Sequence, residues 1–209
     1  MLATLTALLN TTALKLGPLT ASWAELLGAI LGLWMVLCNL RVHPLAWPLA
    51  IASSLLYLLV FWEARLYGDA SLQLLFIAVA LWGWWQWLRG RQADGGQLAV
   101  HHLSRRGWLA ALLGMAALWP AIGLLLHHGT DTDVPWWDAF PTAGSVIATV
   151  LLGRKCVENW PAWIVVNLVA VGLFAYKGLW LTVGLYALFA LLAIVGWRTW
   201  MRRAAGLPA

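Results

Sequence analysis

Charge is what this chain has least of. Only 10% of its 209 residues are Asp, Glu, Lys or Arg, while 63% are hydrophobic. A soluble domain of that length could not hide so much apolar surface, so the lipid bilayer is the solvent that the composition demands. Cysteine is almost as scarce. The two thiols, Cys38 and Cys156, fall at expected helix ends and offer neither a disulfide framework nor a metal-ligand spacing. No Gly-rich phosphate loop occurs, and no nucleophile, base and orienter form a defensible set, so the expectation is no enzyme and no cofactor. The longest hydrophilic segment, "LRGRQADGGQLAVHHLSRRG" from Leu88 to Gly107, is too small for a catalytic domain. His101-His102 and His127-His128 sit in loops with no metal-binding pattern around them. The net charge of +5 does not point to nucleic acid, because the basic residues fall between apolar runs and not on one basic face.

What the chain does have is apolar runs close to the roughly 20 residues that cross a bilayer. They lie at about 21–40, 45–62, 70–88, 108–126, 136–153, 160–176 and 178–197. The fold class expected is an all-α membrane protein with seven transmembrane helices. Asp138 and Pro141 shorten the apolar core of the fifth run. Residues 1–20 carry Asn10, Thr11, Thr12 and Lys15, and read as an interfacial helix or a disordered lead.

Lys and Arg orient these spans. One side collects Arg41, Arg89, Arg91, Arg105, Arg106, Arg154, Lys155, Arg198, Arg202 and Arg203; the other has Lys15, Arg65 and Lys177. Ten against three is a strong positive-inside bias, which places the N-terminus outside and the C-terminus in the cytoplasm.

The chain also repeats itself. With Trp47-Pro48 set over Trp160-Pro161, an offset of 113, Phe61 meets Phe174, Leu75-Phe76 meets Leu188-Phe189, Gly83-Trp84 meets Gly196-Trp197, and Trp87 meets Trp200 without a gap. Leu on Leu is a cheap match in so apolar a chain; Trp-Pro and Gly-Trp are not. Spans two and three thus match six and seven, and by position one matches five, although those residues align poorly. The expected organisation is a lead (1–20), a first three-helix repeat (21–88), a loop, linker helix and external loop (89–135), a second three-helix repeat (136–200) and a tail (201–209). An even number of spans separates the units, so this 3+1+3 plan consists of parallel repeats, an arrangement of small transporters that bind substrate near the membrane midplane.

Polar groups recur at matched depth. Asn167 lies mid-way along span six, and its mate is Ser54; Gln73 in span three has Tyr186 as mate. Trp160, Trp163 and Asn167 follow i, i+3, i+7 spacing on one helix face, and Tyr186, Phe189, Ala193 and Trp197 do the same in span seven. Aromatic faces stack on rings and attract cations, while an amide both donates and accepts hydrogen bonds, so the pattern suits a flat polar ring. No span has a carboxylate at its middle, Glu25 near the end of span one being the nearest, which leaves a proton or sodium relay hard to assemble and favours passive transport. The plain alternatives stand beside this reading. One intramembrane amide can be interhelical glue worth about 0.6 kcal/mol. Trp62, Trp108, Trp136, Trp137, Trp180 and Trp200 fit interfacial belts, and Lys177 and Asp69 fit anchors or gate contacts.

The strings "LYGDASLQ" and "GWWQW" in the first copy, with "ENWPAWIVVN", "KGLWLT", "LYALF" and "GWRTW" in the second, resemble the PnuC-type nicotinamide riboside transporters from about Asn39 to Trp200, the linker excepted. The resemblance implies a SWEET-like architecture in the bacterial inner membrane, often a homotrimer. It implies facilitated diffusion of nicotinamide riboside, which a cytoplasmic nicotinamide riboside kinase traps for NAD biosynthesis. It carries over Gln73 and Asn167 as substrate-binding amides, Trp160 and Trp163 as aromatic walls, and Tyr186 as a hydroxyl contributor. Many relatives have Tyr where this chain has Trp82, which puts an aromatic hydroxyl there in doubt. Thiamine and riboflavin carriers share the architecture, and a non-transporting scaffold remains a third reading.

Overall fold

The computed structural model describes residues 11–16, 19–63, 67–91 and 98–207. Residues 1–10 of the expected lead, Arg65 and part of the Leu88–Gly107 segment lie outside them. Among the described residues, seven helices follow in chain order: α1 Trp23–Leu40, α2 Ala46–Glu63, α3 Tyr67–Arg89, α4 Arg105–Gly129, α5 Pro135–Gly153, α6 Asn159–Tyr176 and α7 Trp180–Ala204. Before them, strands β1 Thr12–Leu16 and β2 Leu19–Ser22 pair antiparallel, with Lys15 opposite Thr20 and Leu16 opposite Leu19. Where an interfacial helix or lead was expected, this stretch is a strand pair; the apolar–polar alternation of Leu14-Lys15-Leu16 and Leu19-Thr20-Ala21-Ser22 suits strand pairing better than a helix.

Among the described residues, four helical segments are long and apolar enough to cross a membrane: Ala70–Arg89, Arg105–Gly129, Asn159–Tyr176 and Thr182–Ala204. Leu26–Leu40 and Ala46–Leu59 are shorter apolar segments. α5 is not among the four, because Asp138 and Pro141 interrupt its apolar run.

Local signals set the ends. Ser104 accepts from the Gly107 N–H at 3.2 Å at the start of α4, and Pro135 occupies the first turn of α5, where a missing N–H is harmless. α6 ends in a Schellman motif: Leu179 N–H reaches Phe174 C=O, Gly178 N–H reaches Ala175 C=O, and Gly178 takes φ 72°, a conformation that glycine adopts without penalty.

The chain divides into two compact units, Met1–Leu81 and Trp82–Ala209. In the first, α1 packs on α2 around Cys38, Ala46 and Leu49, backed by Leu31 and Met35. In the second, α4 packs on α5, α5 on α6 and α6 on α7. Small residues make these approaches possible, since lipid-solvated helices associate by close van der Waals contact. α5 presents Ala139, Ala143, Gly144 and Ala148, all buried; Ala139 and Ala143 meet Ile122 of α4, and a Cβ at Gly144 would lie 2.5 Å from Val166 of α6.

The repeat is visible in the backbone. The ends of α1 and α5 (Leu40, Gly153), the starts and ends of α2 and α6 (Ala46, Asn159; Glu63, Tyr176) and the starts of α3 and α7 (Tyr67, Trp180) all fall at the offset that pairs Trp47 with Trp160. The loops before α2 and α6 share their hydrogen bonds as well. Val42 N–H donates to Asn39 C=O as Lys155 does to Leu152, His43 to Cys38 as Cys156 to Leu151, Ala46 to His43 as Asn159 to Cys156, and Trp47 to Pro44 as Trp160 to Val157.

Candidate functional site

The sequence-expected residues divide between the units. Ser54 on α2 and Gln73 on α3, both half-buried, belong to the first; Trp160, Trp163 and Asn167 on α6 and Tyr186 on α7 belong to the second. Within the second unit, α6 and α7 run antiparallel and touch at two levels. Near the start of α6, the Trp160 ring meets Trp200 edge-on at 5.6 Å and 84°. Near its end, Phe174 lies 5.0 Å from Tyr186, which also contacts Phe189 at 6.0 Å. Trp160, Asn167 and Phe174 follow i, i+7, i+14 spacing, so one stripe of α6 carries all three. The register places Asn167 between the two aromatic contacts, at the level of the buried small residues Ala190 and Ala193.

Asn167 is 5% exposed, and its amide makes no side-chain hydrogen bond to another described residue. An amide so placed keeps its donor and acceptor free for a ligand. Interhelical glue would show a partner; none is present among the described residues. Trp163, one turn before it, is half-buried and flanks the same amide.

The aromatic reading needs one correction. Trp200, expected in an interfacial belt, is fully buried at 0% exposure, because Gly196 leaves room for Trp160 to lie against it; a Cβ at Gly196 would sit 2.5 Å from the Trp160 ring. Trp197, eleven residues from Tyr186 on the same continuous helix, is 40% exposed. Trp62, Trp108, Trp136, Trp137 and Trp180 are exposed, as belt residues are. Trp87 joins the buried cluster. Its ring lies 6.2 Å from Trp200, its Nε1–H donates to Leu152 C=O at 3.0 Å, and the Lys155 ammonium sits 5.2 Å over it. Trp87 and Trp200 were not read as a site, although they are repeat mates, and retention of Trp in both copies was the signal for them.

The loop before α6 is tied to a distant segment. Glu158 occupies the N-cap position of α6 but makes no side-chain cap bond. Its carboxylate instead accepts from Leu103 N–H at 2.8 Å and pairs with His102 Nδ1 at 3.0 Å, since a segment before α4 comes within reach. That segment is laced on by backbone bonds from His101 N–H to Lys155 C=O and from Val157 N–H to His101 C=O, and by Lys155 Nζ on Leu98 C=O. Asn159 turns backward, its Nδ2 donating to Cys156 C=O at 2.7 Å. Burial, with the Glu158 charge adding to it, pushes the Cys156 thiol up to about 11, and burial pulls the Lys155 ammonium below its usual range. Both cysteines are free thiols. At the opposite end of α6, Lys177 pairs with Asp138 of α5 at 3.0 and 3.1 Å, while Thr132 donates to the same carboxylate. Among the described residues no cluster of His, Cys, Asp or Glu could hold a metal.

Helices that are apolar outside, with an amide on α6 that has no partner among the described residues and lies between aromatic contacts, define a multi-pass helical membrane protein. The chain belongs to the nicotinamide mononucleotide transporter family, whose model matches residues 22–202. It is similar to the riboflavin/roseoflavin transporter RibM of Streptomyces davaonensis, 31% identical over 87% of this chain and 86% of that one. It is similar to the nicotinamide riboside transporter PnuC of Escherichia coli, 25% identical over 88% and 87%, and to that of Neisseria mucosa, 26% identical over 74% and 60%. A crystal structure of the vitamin B3 transporter PnuC shares the fold at TM-score 0.69 and 22% identity, covering 89% of this chain and 83% of that chain. The chain is therefore a multi-pass membrane transporter.

Proposed function

We propose that this protein carries nicotinamide riboside across the bacterial inner membrane by facilitated diffusion, feeding NAD biosynthesis, with no chemistry done on the cargo. The observation that carries the reading is Asn167, a 5%-exposed amide without a side-chain partner among the described residues, on the aromatic stripe of α6. An amide can meet a carboxamide with a donor and an acceptor at once, and Trp and Tyr rings suit a flat cationic pyridinium. The names of the PnuC relatives support the cargo.

The binding residues proposed are Asn167, Gln73, Trp160, Trp163, Tyr186 and Ser54. The helices form a 3+1+3 plan of parallel repeats, supported by element boundaries that recur at the offset of the sequence repeat. The ten-to-three split of basic residues supports an outside N-terminus and a cytoplasmic C-terminus. The assembly proposed is a homotrimer, served by a cytoplasmic nicotinamide riboside kinase that keeps the gradient inward.

A second cargo is favoured by one observation, the 31% identity to a riboflavin/roseoflavin transporter. Purified protein in liposomes decides between them. Labelled nicotinamide riboside should enter without a proton or sodium gradient, and excess riboflavin should not compete. Strict dependence on either gradient would overturn the mechanism, and uptake of riboflavin alone would replace the cargo. Asn167→Ala and Gln73→Ala should each weaken binding about tenfold or more, the loss expected when a ligand's polar group goes unpaired. Normal binding by both variants would refute the site.

A further inference from the structure

We infer that Asn159 and Trp160 form a gate at the α5–α6 loop end of the substrate path, one held shut against two unmet hydrogen-bonding groups so that it opens readily. The inference rests on the transport reading above and gives Trp160, proposed there as an aromatic wall, a second task at this end of the path.

Asn159 is 0% exposed and Trp160 3% exposed at the start of α6. Asn159 Oδ1 and Trp160 Nε1 each expose less than 1 Å² and have no hydrogen-bond partner among the described residues. Water cannot reach either atom in this conformation. One is an acceptor and the other a donor, on neighbouring residues, and the Trp160 ring is itself packed into the cluster that Trp200 and Trp87 complete. The Asn159 amide cannot simply turn over, because its Nδ2 is held by Cys156 C=O at 2.7 Å.

Closing over unpaired polar atoms disfavours the closed state; opening to water or to a passing hydroxyl or carboxamide satisfies both. Asn159 lies about two turns from Asn167, about 12 Å along the helix at 1.5 Å per residue, with Trp163 and Trp160 between them, so it stands at the far end of the path a solute takes from Asn167 in this direction. The repeat mate of Asn159 is Ala46, which has no polar side chain, so the amide is special to the second copy. Cys156, 1% exposed and bonded through its carbonyl to Asn159, is shielded by the same closure and reports on it.

The test uses the full chain with Cys38→Ala, leaving Cys156 as its one thiol, and measures maleimide labelling, melting temperature and nicotinamide riboside exchange in liposomes. Asn159→Leu removes the unpaired acceptor, and Cys156 C=O keeps its bond from the backbone N–H at position 159. Trp160→Phe removes the unpaired donor and keeps a ring against Trp200. Both variants should raise the melting temperature, slow Cys156 labelling about tenfold and slow exchange, the tenfold following from one unmet bond relieved. A structural role alone would lower the melting temperature and speed labelling, and that result in both variants overturns the gate. A higher melting temperature with unchanged labelling overturns it too. Failure of the parent protein to carry any vitamin would remove the transport reading, while the labelling rates would still decide whether the end opens.

Discussion

Val42 and Lys155, which occupy the same position in the two copies of the repeat, hold the same left-handed backbone conformation, each at φ 56°. Among the described residues no other non-glycine residue has positive φ. The conformation costs an L-residue about 1–2 kcal/mol, and a β-branched valine takes it poorly. Its appearance at both sites follows from one loop built twice, with hydrogen bonds of the same pattern on either side.

Val42→Gly should therefore stabilise the protein by up to about 1 kcal/mol, the strain relieved exceeding the added chain entropy. Lys155→Gly should gain less or lose stability, because it also removes the Nζ bond to Leu98 and the contact over Trp87. Thermal unfolding in detergent checks both. A fall in melting temperature for Val42→Gly would contradict the strain account.

Gly196→Val should lower uptake at least tenfold and destabilise the protein by about 1–3 kcal/mol, the usual effect of forcing atoms into a packed contact. The branched side chain needs the space the Trp160 ring occupies. Gly184, with open space around its missing Cβ, is the control: Gly184→Ala should leave packing intact. Equal melting temperatures for Gly196→Val and Gly184→Ala would show the Trp160 contact to be dispensable.

Glu158→Ala should free the segment from Leu98 to Leu103. The carboxylate holds Leu103 N–H and His102 together, and charge-assisted bonds of that kind contribute about 1.5–3 kcal/mol each when well buried. The exposed His102 contact contributes less, about 0–1 kcal/mol. Limited trypsin digestion reads the outcome: cleavage at Arg105 and Arg106 should accelerate in Glu158→Ala and much less in Glu158→Gln, which keeps an acceptor.

Stability should fall as pH rises from about 9 toward about 11. The Cys156 thiol has its pKa raised from 9.0 to about 11 in the fold, by burial first and the Glu158 charge second. Below pH 9 the thiol is protonated in both states and its contribution is whole; above it, the unfolded chain releases the proton first and is favoured. Lys155, shifted downward by burial, acts in the opposite sense, so the comparison is with Cys156→Ala. That variant should show a shallower alkaline decline in melting temperature, and an identical decline would exclude the thiol as its cause.

Much of the fold was legible because it follows from local pattern. Apolar length marked each helix, and Trp-Pro at matched positions marked the period that the helix ends then follow. Asn167 was legible for a similar reason, since an amide within an apolar run is conspicuous before anything is folded. The indoles were not legible in this way. Trp136, Trp180 and Trp200 all end or begin apolar runs, yet the first two are exposed and the third is fully buried. Only the glycine one turn earlier in α7 and the indole on the facing helix separate these cases. The partner of Glu158 was not legible either: it occupies the N-cap position of α6, but Leu103, distant in the chain and ahead of α4, claims its carboxylate.

The amino-acid sequence by itself determined the solvent of this protein, the number of its helices, their period and the place of its buried amide, because hydrophobicity and spacing are properties of neighbouring residues. The tertiary structure alone decided which indoles close over the start of α6, which polar atoms there go unpaired and what Glu158 holds. Those outcomes depend on which helix faces meet, and side chains compete for space and for hydrogen bonds only once they do.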